Sequence, residues 1–216
     1  EGTRNVMEEA SRAGVSRVVY TSSTTVLGMP PKGLATEETE PGPGWLKGHY
    51  RRSKYLAEQE VRRLAQQGLP VVIVNPSAPV GPWDVKPTPT GRVILDFLRG
   101  RLPGYVNTGL NLVDVEDVAV GHILALEKGR VGQRYILGNQ NVTLRQMLVA
   151  LEGISGRKAP RLRVPWAVAL AAAWVTYLVE GRLLRRQPSI PLEGVYHARR
   201  PVYVDCTKAV RELGFP

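Results

Sequence analysis

The sequence predicts an α/β fold built on a parallel β-sheet, and three observations predict it. Helical patterns alternate with short β-branched runs through the first half of the chain. Glycines such as Gly14 and Gly68 follow the helical patterns, at positions where helices commonly end. The runs at 17–23 and 71–75 have the composition of buried strands. Because strands that alternate with helices are joined by right-handed crossovers, we expect the strands to be parallel.

In the first half of the chain, glycine and proline mark the limits of the predicted elements. Helices are expected over 3–12 and 49–67, strands over 17–23 and 71–75, and a loop rich in proline and glycine over 28–48. A loop of that length inside a compact domain usually has a function. We therefore expect the loop to contribute to function.

The second half of the chain mixes helices with short strands. Helices are expected near 92–98, over 116–128, over 144–151 with Thr143 as the N-cap, over 164–184, and from Thr207 to a stop at Gly214. Strands are expected at 111–115, 135–137 and 202–205. The sequence shows no internal repeat and no low-complexity tract.

The composition is that of an ordinary globular protein of 216 residues, with 43% hydrophobic and 22% charged residues. A chain of this length can bury one sizeable core and a smaller appendage. The single cysteine, Cys206, excludes an internal disulfide and fits a reducing compartment. The histidines at positions 49, 122 and 197 lack ligand spacing, so we expect no metal site. With no secretory signal pattern, a cytoplasmic location is expected.

The net charge of +10 allows two interpretations. A basic protein can bind nucleic acid or an anionic membrane surface. Alternatively, the charge is a solvated basic face. We favour the solvated face and expect no nucleic-acid partner, because no basic helix is interleaved with stacking aromatic residues.

The longest apolar run extends from Trp166 to Val179 and has 14 residues. It is short for a membrane span, which needs about 20 residues. One interpretation is a helix that covers the substrate pocket, and this is the one we prefer. The other is an interfacial helix over 166–186 that makes a peripheral membrane contact, since arginines at 161, 163, 182, 185 and 186 flank the run.

The strongest chemical signal is the pair Tyr50 and Lys54 in the second predicted helix. Positions four residues apart lie on one face of a helix, so the phenol and the ammonium can point into one site. A nearby cation favours the phenolate, which makes a tyrosine a better general acid or base near neutral pH. Alone, this spacing is also compatible with a surface tyrosine and a solvated lysine.

Polar residues end two neighbouring strands of the predicted sheet. A hydroxyl cluster, Ser22 to Thr25, follows the first strand, and Asn75, Pro76 and Ser77 end the second. Sites in open parallel sheets are built at the carboxyl ends of strands. The alternative is that the hydroxyls satisfy backbone groups of the turn. Together with the helical pair, these strand ends predict a catalytic site.

These motifs resemble the extended short-chain dehydrogenase/reductase family, the NAD-dependent epimerase/dehydratase family. The resemblance is carried by the segments 18–28, 50–54, 75–82, 111–122 and 207–214, so it covers essentially the whole chain. Residues 86–92, 109–113 and 134–138 are most similar to the hopanoid-associated sugar epimerase group, which is itself similar to dihydroflavonol 4-reductases.

The resemblance implies a Rossmann-like, doubly wound parallel sheet with a smaller mixed substrate-binding region. It assigns residues 1–82 to the carboxyl-terminal half of the NAD(P)-binding domain. Residues 83–216 would be mainly substrate-binding, with 105–130 returning to the core. Family members are often dimers, so a homodimer is also implied.

The resemblance also implies the activity and the site residues. The activity is NAD- or NADP-dependent oxidoreduction or epimerisation of a hydroxyl or ketone substrate, which could be a sugar or a dihydroflavonol-, sterol- or lipid-like compound. Ser23, Tyr50 and Lys54 match the catalytic residues. The cofactor contacts are expected at Ser22, Tyr50, Lys54, Asn75, Pro76 and Ser77, and the small-molecule substrate contacts at Thr24, Thr25, Val80, Thr88 and Arg92.

Two departures from the family pattern shape these expectations. No glycine-rich phosphate-binding turn follows a strand, so we expect that turn upstream of Glu1 and expect this chain alone to bind the dinucleotide poorly. Leu110 and Asn111 stand where nucleotide-sugar epimerases usually carry an arginine, which disfavours a nucleotide sugar. A non-catalytic NAD(P)-sensing module is the alternative function, and the retention of Ser23, Tyr50 and Lys54 argues against it.

Overall fold

The computed structural model describes residues 1–186, 188–190 and 192–216, and the side chains of Glu193 and His197 lie outside that description. His197 is one of the three histidines considered above as metal ligands, and its side chain lies outside the described residues. The described chain forms two units. One contains Glu1–Pro82, Asn111–Gln140 and Tyr203–Pro216, and the other contains Trp83–Leu110 and Asn141–Val202.

The elements of the chain follow one another in this order. The first half contains α1 (Gly2–Arg12), β1 (Val18–Thr21), α2 (His49–Gln66), β2 (Val71–Pro76), β3 (Ala78–Val80), α3 (Pro89–Leu98) and β4 (Tyr105–Val106). The second half contains β5 (Gly109–Asp114), α4 (Val115–Lys128), β6 (Arg134–Leu137), β7 (Gln140–Thr143), α5 (Leu144–Ser155), β8 (Arg163–Val164), α6 (Trp166–Thr176), α7 (Leu192–His197) and α8 (Thr207–Leu213).

The first unit is built on a parallel sheet with the strand order β1-β2-β6. The central strand β2 is buried from Val71 to Asn75 and sends alternate side chains to opposite faces. Val71 and Ile73 pack with α1 and α2, through Met7, Val61 and Leu64. Val72 and Val74 pack with α4 and α8, in a cluster that includes Val118, Leu137 and Leu213. Helices therefore cover both faces, and the predicted Rossmann-like doubly wound fold is confirmed.

The helix α2 ends as the sequence predicts, within one residue. Gly68 has φ +102, a backbone conformation that side chains disfavour, and the chain turns there directly into β2. Val18 of β1 pairs with Val71, and Asn75 of β2 pairs with Ile136 of β6. This parallel register brings the carboxyl ends of β1 and β2 to the same edge of the sheet.

The second unit contains mainly helices. Thr143 caps α5 in a capping box, since its hydroxyl accepts from Gln146 N at 3.1 Å and the Gln146 side chain accepts from Thr143 N at 2.8 Å. The helix α6 packs on α7, where Trp166 Nε1 donates to the Val195 carbonyl at 2.9 Å. A short parallel pair, β4 with β8, completes the unit. Within the described residues, no helix combines the length and apolar character needed to cross a membrane.

In the second half, one prediction was confirmed with a refinement and one was wrong. The helix expected over 164–184 is present within two residues, as an α-helix from Trp166 to Thr176 that continues as a π-helix over Tyr177–Leu183. An apolar run without clear periodicity does not distinguish the two hydrogen-bonding patterns. The strand expected at 202–205 forms only two isolated bridges, Leu110 to Val202 and Ala35 to Val204, because its alternate residues pair with different segments.

Candidate active site

The turn that follows β1 holds the Ser23 hydroxyl in a defined orientation. Ser23 Oγ accepts from Thr25 N at 3.2 Å and from Thr25 Oγ1 at 3.0 Å, which caps a short 3-10 turn over Thr24–Val26. A hydroxyl oxygen has two acceptor positions and one hydrogen. Because both acceptor positions are used in these two bonds, Ser23 is arranged to donate its hydrogen to another oxygen. Thr24 is itself buried within the turn.

The helix α2 packs beside this turn and presents Lys54 to the end of β1. Lys54 Nζ donates to the Thr21 carbonyl at 3.5 Å, two residues before Ser23. Tyr50 lies one helical turn before Lys54 on the same face, and the tyrosine is 51% exposed. The structure therefore brings Lys54 and Ser23 to one strand end, with Tyr50 in the first turn of the adjoining helix.

A buried polar network joins α2 to both strand ends. The Asn75 amide donates to the Ser23 carbonyl at 3.2 Å and to Glu58 Oε2 at 2.8 Å. Arg134 donates to the other Glu58 oxygen at 3.2 Å, and both members of this ion pair are buried. A buried charge is costly unless it is paired and hydrogen-bonded, so each partner depends on the others. The network fixes Ser23 relative to the helix that carries Tyr50 and Lys54.

Three buried polar atoms at these strand ends have no hydrogen-bond partner within the described part of the chain. They are Ser22 Oγ at the end of β1, and Asn75 Oδ1 and Ser77 Oγ at the end of β2. Buried polar atoms are normally hydrogen-bonded, and groups that are not are candidates for ligand contacts. All three belong to residues predicted above to bind the cofactor. Their chemistry fits a polar ligand lying across the ends of β1 and β2.

The start of α2 is held by Trp45 from the preceding loop. Gly48 at the N-cap provides no side-chain cap, and the buried Arg51 guanidinium lies 3.9 Å from the centre of the Trp45 ring. Arg51 also donates to the Trp45 carbonyl at 3.3 Å. Trp45 Nε1 in turn donates to the Thr25 carbonyl at 3.0 Å. The loop predicted to have a function therefore links the turn after Ser23 to the helix turn that carries Tyr50.

A family model described as "NAD dependent epimerase/dehydratase family" matches residues 1–138 of this chain. A protein named "Putative dihydroflavonol 4-reductase" from Synechocystis sp. is 50% identical over 220 residues, which covers 100% of this chain and 64% of that protein.

The chain belongs to the NAD-dependent epimerase/dehydratase family.

Two further proteins support membership of this family. "Sterol demethylase protein B" from Methylococcus capsulatus is 38% identical over 99% of this chain and 65% of that protein. The crystal structure of gox2253 superposes with a TM-score of 0.83 at 42% identity, over 100% of this chain and 66% of that one. The chain thus spans slightly less than two thirds of the length of these curated relatives. The family resemblance inferred from the motifs is confirmed.

The structure defines the local surroundings of several further residues that the family resemblance singled out. Pro76 pairs with Leu137 inside the sheet, and Val80 in β3 pairs with Asp114. Thr88 and Arg92 belong to the second unit. The Thr88 hydroxyl caps α3, since it accepts from Gly91 N at 3.1 Å and donates to Asp84 at 3.0 Å. The substrate contacts expected at Thr88, Arg92 and Val80 stay predictions.

The sequence analysis missed two residues that organise the site of this family member. Thr21 holds Lys54 through its carbonyl, and its hydroxyl bonds to His122 Nε2 at 2.9 Å. His122 Nδ1 is bonded to the Val118 carbonyl at 2.7 Å, so both ring nitrogens are engaged. Glu58 was also missed, although a signal existed. Tyr50, Lys54 and Glu58 are spaced four residues apart, which places all three on one helix face.

Other reactive side chains are not arranged for catalysis. Burial raises the pKa of the Cys206 thiol to about 12, and the nearby carboxylates of Glu37 and Asp205 add to the effect. The thiol is therefore protonated at neutral pH and is not a nucleophile. Across the part of the chain that the structure describes, no three histidine, cysteine, aspartate or glutamate side chains group into a metal site.

Proposed function

We propose that this chain supplies the proton-transfer site of a nicotinamide-dependent oxidoreductase that acts on a hydroxyl or ketone group. The observation that carries the proposal is the contact of Lys54 Nζ with the Thr21 carbonyl, at the strand end that also holds the oriented Ser23 hydroxyl. Family membership supports the same chemistry. The retained set of Ser23, Tyr50 and Lys54 distinguishes this proposal from a non-catalytic sensor.

Each of the three residues has a separate role in the proposed reaction. Ser23 donates a hydrogen bond to the oxygen of the substrate carbonyl and so fixes its position. Tyr50 gives its phenolic proton to that oxygen in the direction of reduction, and takes the proton back in the direction of oxidation. The Lys54 ammonium, one turn along the helix, stabilises the phenolate that remains on Tyr50.

The cofactor is proposed to be NAD or NADP. When bound, it supplies or accepts the hydride at the substrate carbon. The orphaned polar atoms of Ser22, Asn75 and Ser77 support binding of a polar ring and ribose at this edge of the sheet. Lys54 and Tyr50 would complete that contact set. A reducing cytoplasmic location is also part of the proposal, and the use of a single cysteine, Cys206, fits it.

The substrate is proposed to be an apolar ketone or alcohol and not a nucleotide sugar. Asn111 stands in the segment where a nucleotide-sugar enzyme would carry its arginine. Its side chain is buried and accepts from Asn139 N at 3.0 Å, so it serves the backbone and is not available to a diphosphate. Two relatives are named for dihydroflavonol and sterol chemistry, which supports a ring ketone.

The proposal is tested with the whole protein, NADH or NADPH, and a panel of a sterol ketone, a dihydroflavonol and a nucleotide sugar. Loss of the reduced-cofactor absorbance is expected with a ring ketone. Stoichiometric consumption of cofactor indicates a reductase, whereas product without net consumption indicates an epimerase. Tyr50→Phe is expected to lower turnover by about 10²–10⁴-fold, because it removes the transferred proton.

The matched control is Tyr55→Phe, the same substitution on the same helix at a tyrosine that packs against the hydrophobic cluster containing Val26 and Leu27. It should leave turnover close to that of the wild type. Cofactor affinity should change far less than turnover in Tyr50→Phe, because the other proposed cofactor contacts remain. Wild-type turnover in Tyr50→Phe would remove the catalytic assignment and would favour the sensor alternative.

A further inference from the structure

The helix α6 and the π-helical segment after it expose apolar side chains along one side. The exposed members are Val168, Ala171, Trp174, Val175, Leu178 and Val179, which we call the apolar face. Val175 is 59% exposed and Leu178 is 50% exposed. Most of these positions recur at intervals of three or four residues, so they share one side of the helix. A surface helix normally presents polar residues on that side.

The opposite side of the same helix is the one that packs within its unit. Ala173 is fully buried there, and Trp166 bonds to the Val195 carbonyl. Thr176 Oγ1 donates to the Ala173 and Ile190 carbonyls at 3.0 and 3.3 Å. The apolar face is therefore not needed for this packing, and a contiguous exposed apolar surface of this kind marks an interaction site.

A cluster of arginines lies at one end of the apolar face. Arg182, Arg185 and Arg186 are all exposed, and we call them the basic end. The only acidic residue between positions 166 and 186 is Glu180. Its carboxylate accepts from Ser189 N and Ser189 Oγ, at 2.5 and 2.6 Å. The segment thus presents an apolar face followed by a net positive charge.

We propose that the apolar face and the basic end dock on an anionic lipid bilayer, with α6 lying in the plane of the interface. Leucine, valine and tryptophan side chains would enter the acyl boundary, while the arginines meet lipid phosphates. Trp174 and Tyr177 form an edge-to-face pair with ring centres 5.8 Å apart, and such aromatic residues favour the interface.

An anionic membrane accounts for both features of the surface. A second copy of this chain would bring one basic end close to another basic surface, since the chain has a net charge of +10. An anionic bilayer instead offers an apolar acyl region next to negatively charged lipid headgroups. The proposal goes beyond the oxidoreductase activity and does not depend on it.

The test is co-sedimentation of the whole protein with vesicles of phosphatidylcholine alone or mixed with phosphatidylglycerol. Binding is expected only to the mixed vesicles and should weaken as salt is raised. Quenching of Trp174 fluorescence by brominated lipid should accompany binding and should disappear in Trp174→Phe. Leu178→Glu is expected to abolish sedimentation, because it puts a carboxylate into the apolar face.

Matched variants separate this surface from the general basicity of the protein. Arg182→Gln with Arg186→Gln should lower vesicle partition by about 25-fold, at about fivefold for each arginine near an anionic surface. Arg99→Gln with Arg101→Gln removes the same charge from exposed positions elsewhere and should have little effect. Ile154→Glu, at a side chain that is 84% exposed in α5, is the control for Leu178→Glu.

Three outcomes would overturn the proposal. They are no binding to mixed vesicles at low salt, equal losses from the two arginine pairs, and self-association in the absence of lipid that Leu178→Glu abolishes. The last outcome would assign the apolar face to a second copy of the chain. Turnover of a water-soluble ketone should be unchanged in the variant that combines Arg182→Gln with Arg186→Gln, because both arginines lie outside the run Trp166–Val179. A failure of this proposal is therefore distinguishable from a failure of the proposed activity.

Discussion

At the residue scale, Asn75 links the turn after β1 to α2 through buried hydrogen bonds. Its side chain is fully buried, and its amide nitrogen donates both to the Ser23 carbonyl and to Glu58. Its oxygen is one of the buried polar atoms without a partner in the described chain. The residue therefore combines a structural role on one atom with a proposed ligand contact on the other.

We predict that Asn75→Ala lowers the free energy of unfolding of the whole protein by about 1–3 kcal/mol, because it leaves buried acceptors without a donor. Asn75→Asp should be more damaging, since it places a second carboxylate beside Glu58. Urea unfolding measures both, and Asn107→Ala at an exposed position is the control. If Asn75→Asp is as stable as Asn75→Ala, the buried Glu58 carboxylate does not determine which side chain position 75 can hold, and the account of the network is contradicted.

The sequence predicts Ser23, Tyr50 and Lys54 as candidate site residues, because each belongs to a local motif with a fixed spacing, and their catalytic roles stay predictions. It could not identify the pairing of Glu58 with Arg134, which are 76 residues apart and meet only through the sheet register. The helix N-cap at Thr143 was also predictable, because the capping box that it forms with Gln146 involves residues only three positions apart. The Thr88 hydroxyl caps a helix, and residue type alone does not separate that role from the substrate contact predicted for it.

At the scale of elements, Trp45 connects the loop before α2 to the turn after β1. Its indole nitrogen donates to Thr25, and its ring supports the Arg51 guanidinium in the first turn of the helix. Tyr50 is the neighbour of Arg51, so a shift of this turn moves the phenol. Small displacements of a reacting group can cost up to about a hundredfold in rate.

We predict that Trp45→Phe keeps the stacking with Arg51 but loses the bond to the Thr25 carbonyl. Turnover should fall by about tenfold, and the free energy of unfolding by about 1 kcal/mol. Steady-state kinetics and urea unfolding of the whole protein provide the two measurements. Trp83→Phe, at a side chain that is 90% exposed, is the control for stability. Unchanged turnover in Trp45→Phe would show that the loop does not position the helix.

Elements whose ends are marked by glycine or polar residues were predictable from the sequence. Elements that depend on pairing with distant segments of the chain were not. The helix α2 and strand β2 are bounded by glycine and polar residues, and both were predicted to within one residue. The short strand β3 exists because it pairs with β5, more than thirty residues away in the chain. The change from α- to π-helix at Tyr177 has no periodic signal in an almost uniformly apolar run.

At the scale of the whole molecule, an ion pair ties α8 to the sheet of the first unit. Glu212 accepts from Arg130 and, at 3.0 Å, from the Tyr135 hydroxyl. The bond from Arg130 is the main reason that the pKa of Glu212 is lowered from 4.5 to about 2. A lowered pKa means that the unfolded chain binds this proton more readily than the folded chain. The stabilisation is therefore present above about pH 4.5 and is lost as the pH falls toward 2.

We predict that Glu212→Gln is less stable than the wild type near neutral pH and that the difference narrows as the pH falls below about 4.5. Urea midpoints of the whole protein, measured from neutral pH down to about pH 3, test this expectation. Glu38→Gln, at an exposed position in the same unit, should show no such narrowing. A stability difference between Glu212→Gln and the wild type that does not change with pH would contradict the assignment of the ion pair.

The most direct test of the account is a double-mutant cycle of turnover with Ser23→Ala and Tyr50→Phe in the whole protein. If the two hydroxyls act on one substrate oxygen, their effects are not independent. We predict that the double variant is about as slow as the slower single variant, with stability and cofactor affinity little changed. Multiplicative losses, in which the double variant loses the product of the two single effects, would contradict a shared site for Ser23 and Tyr50.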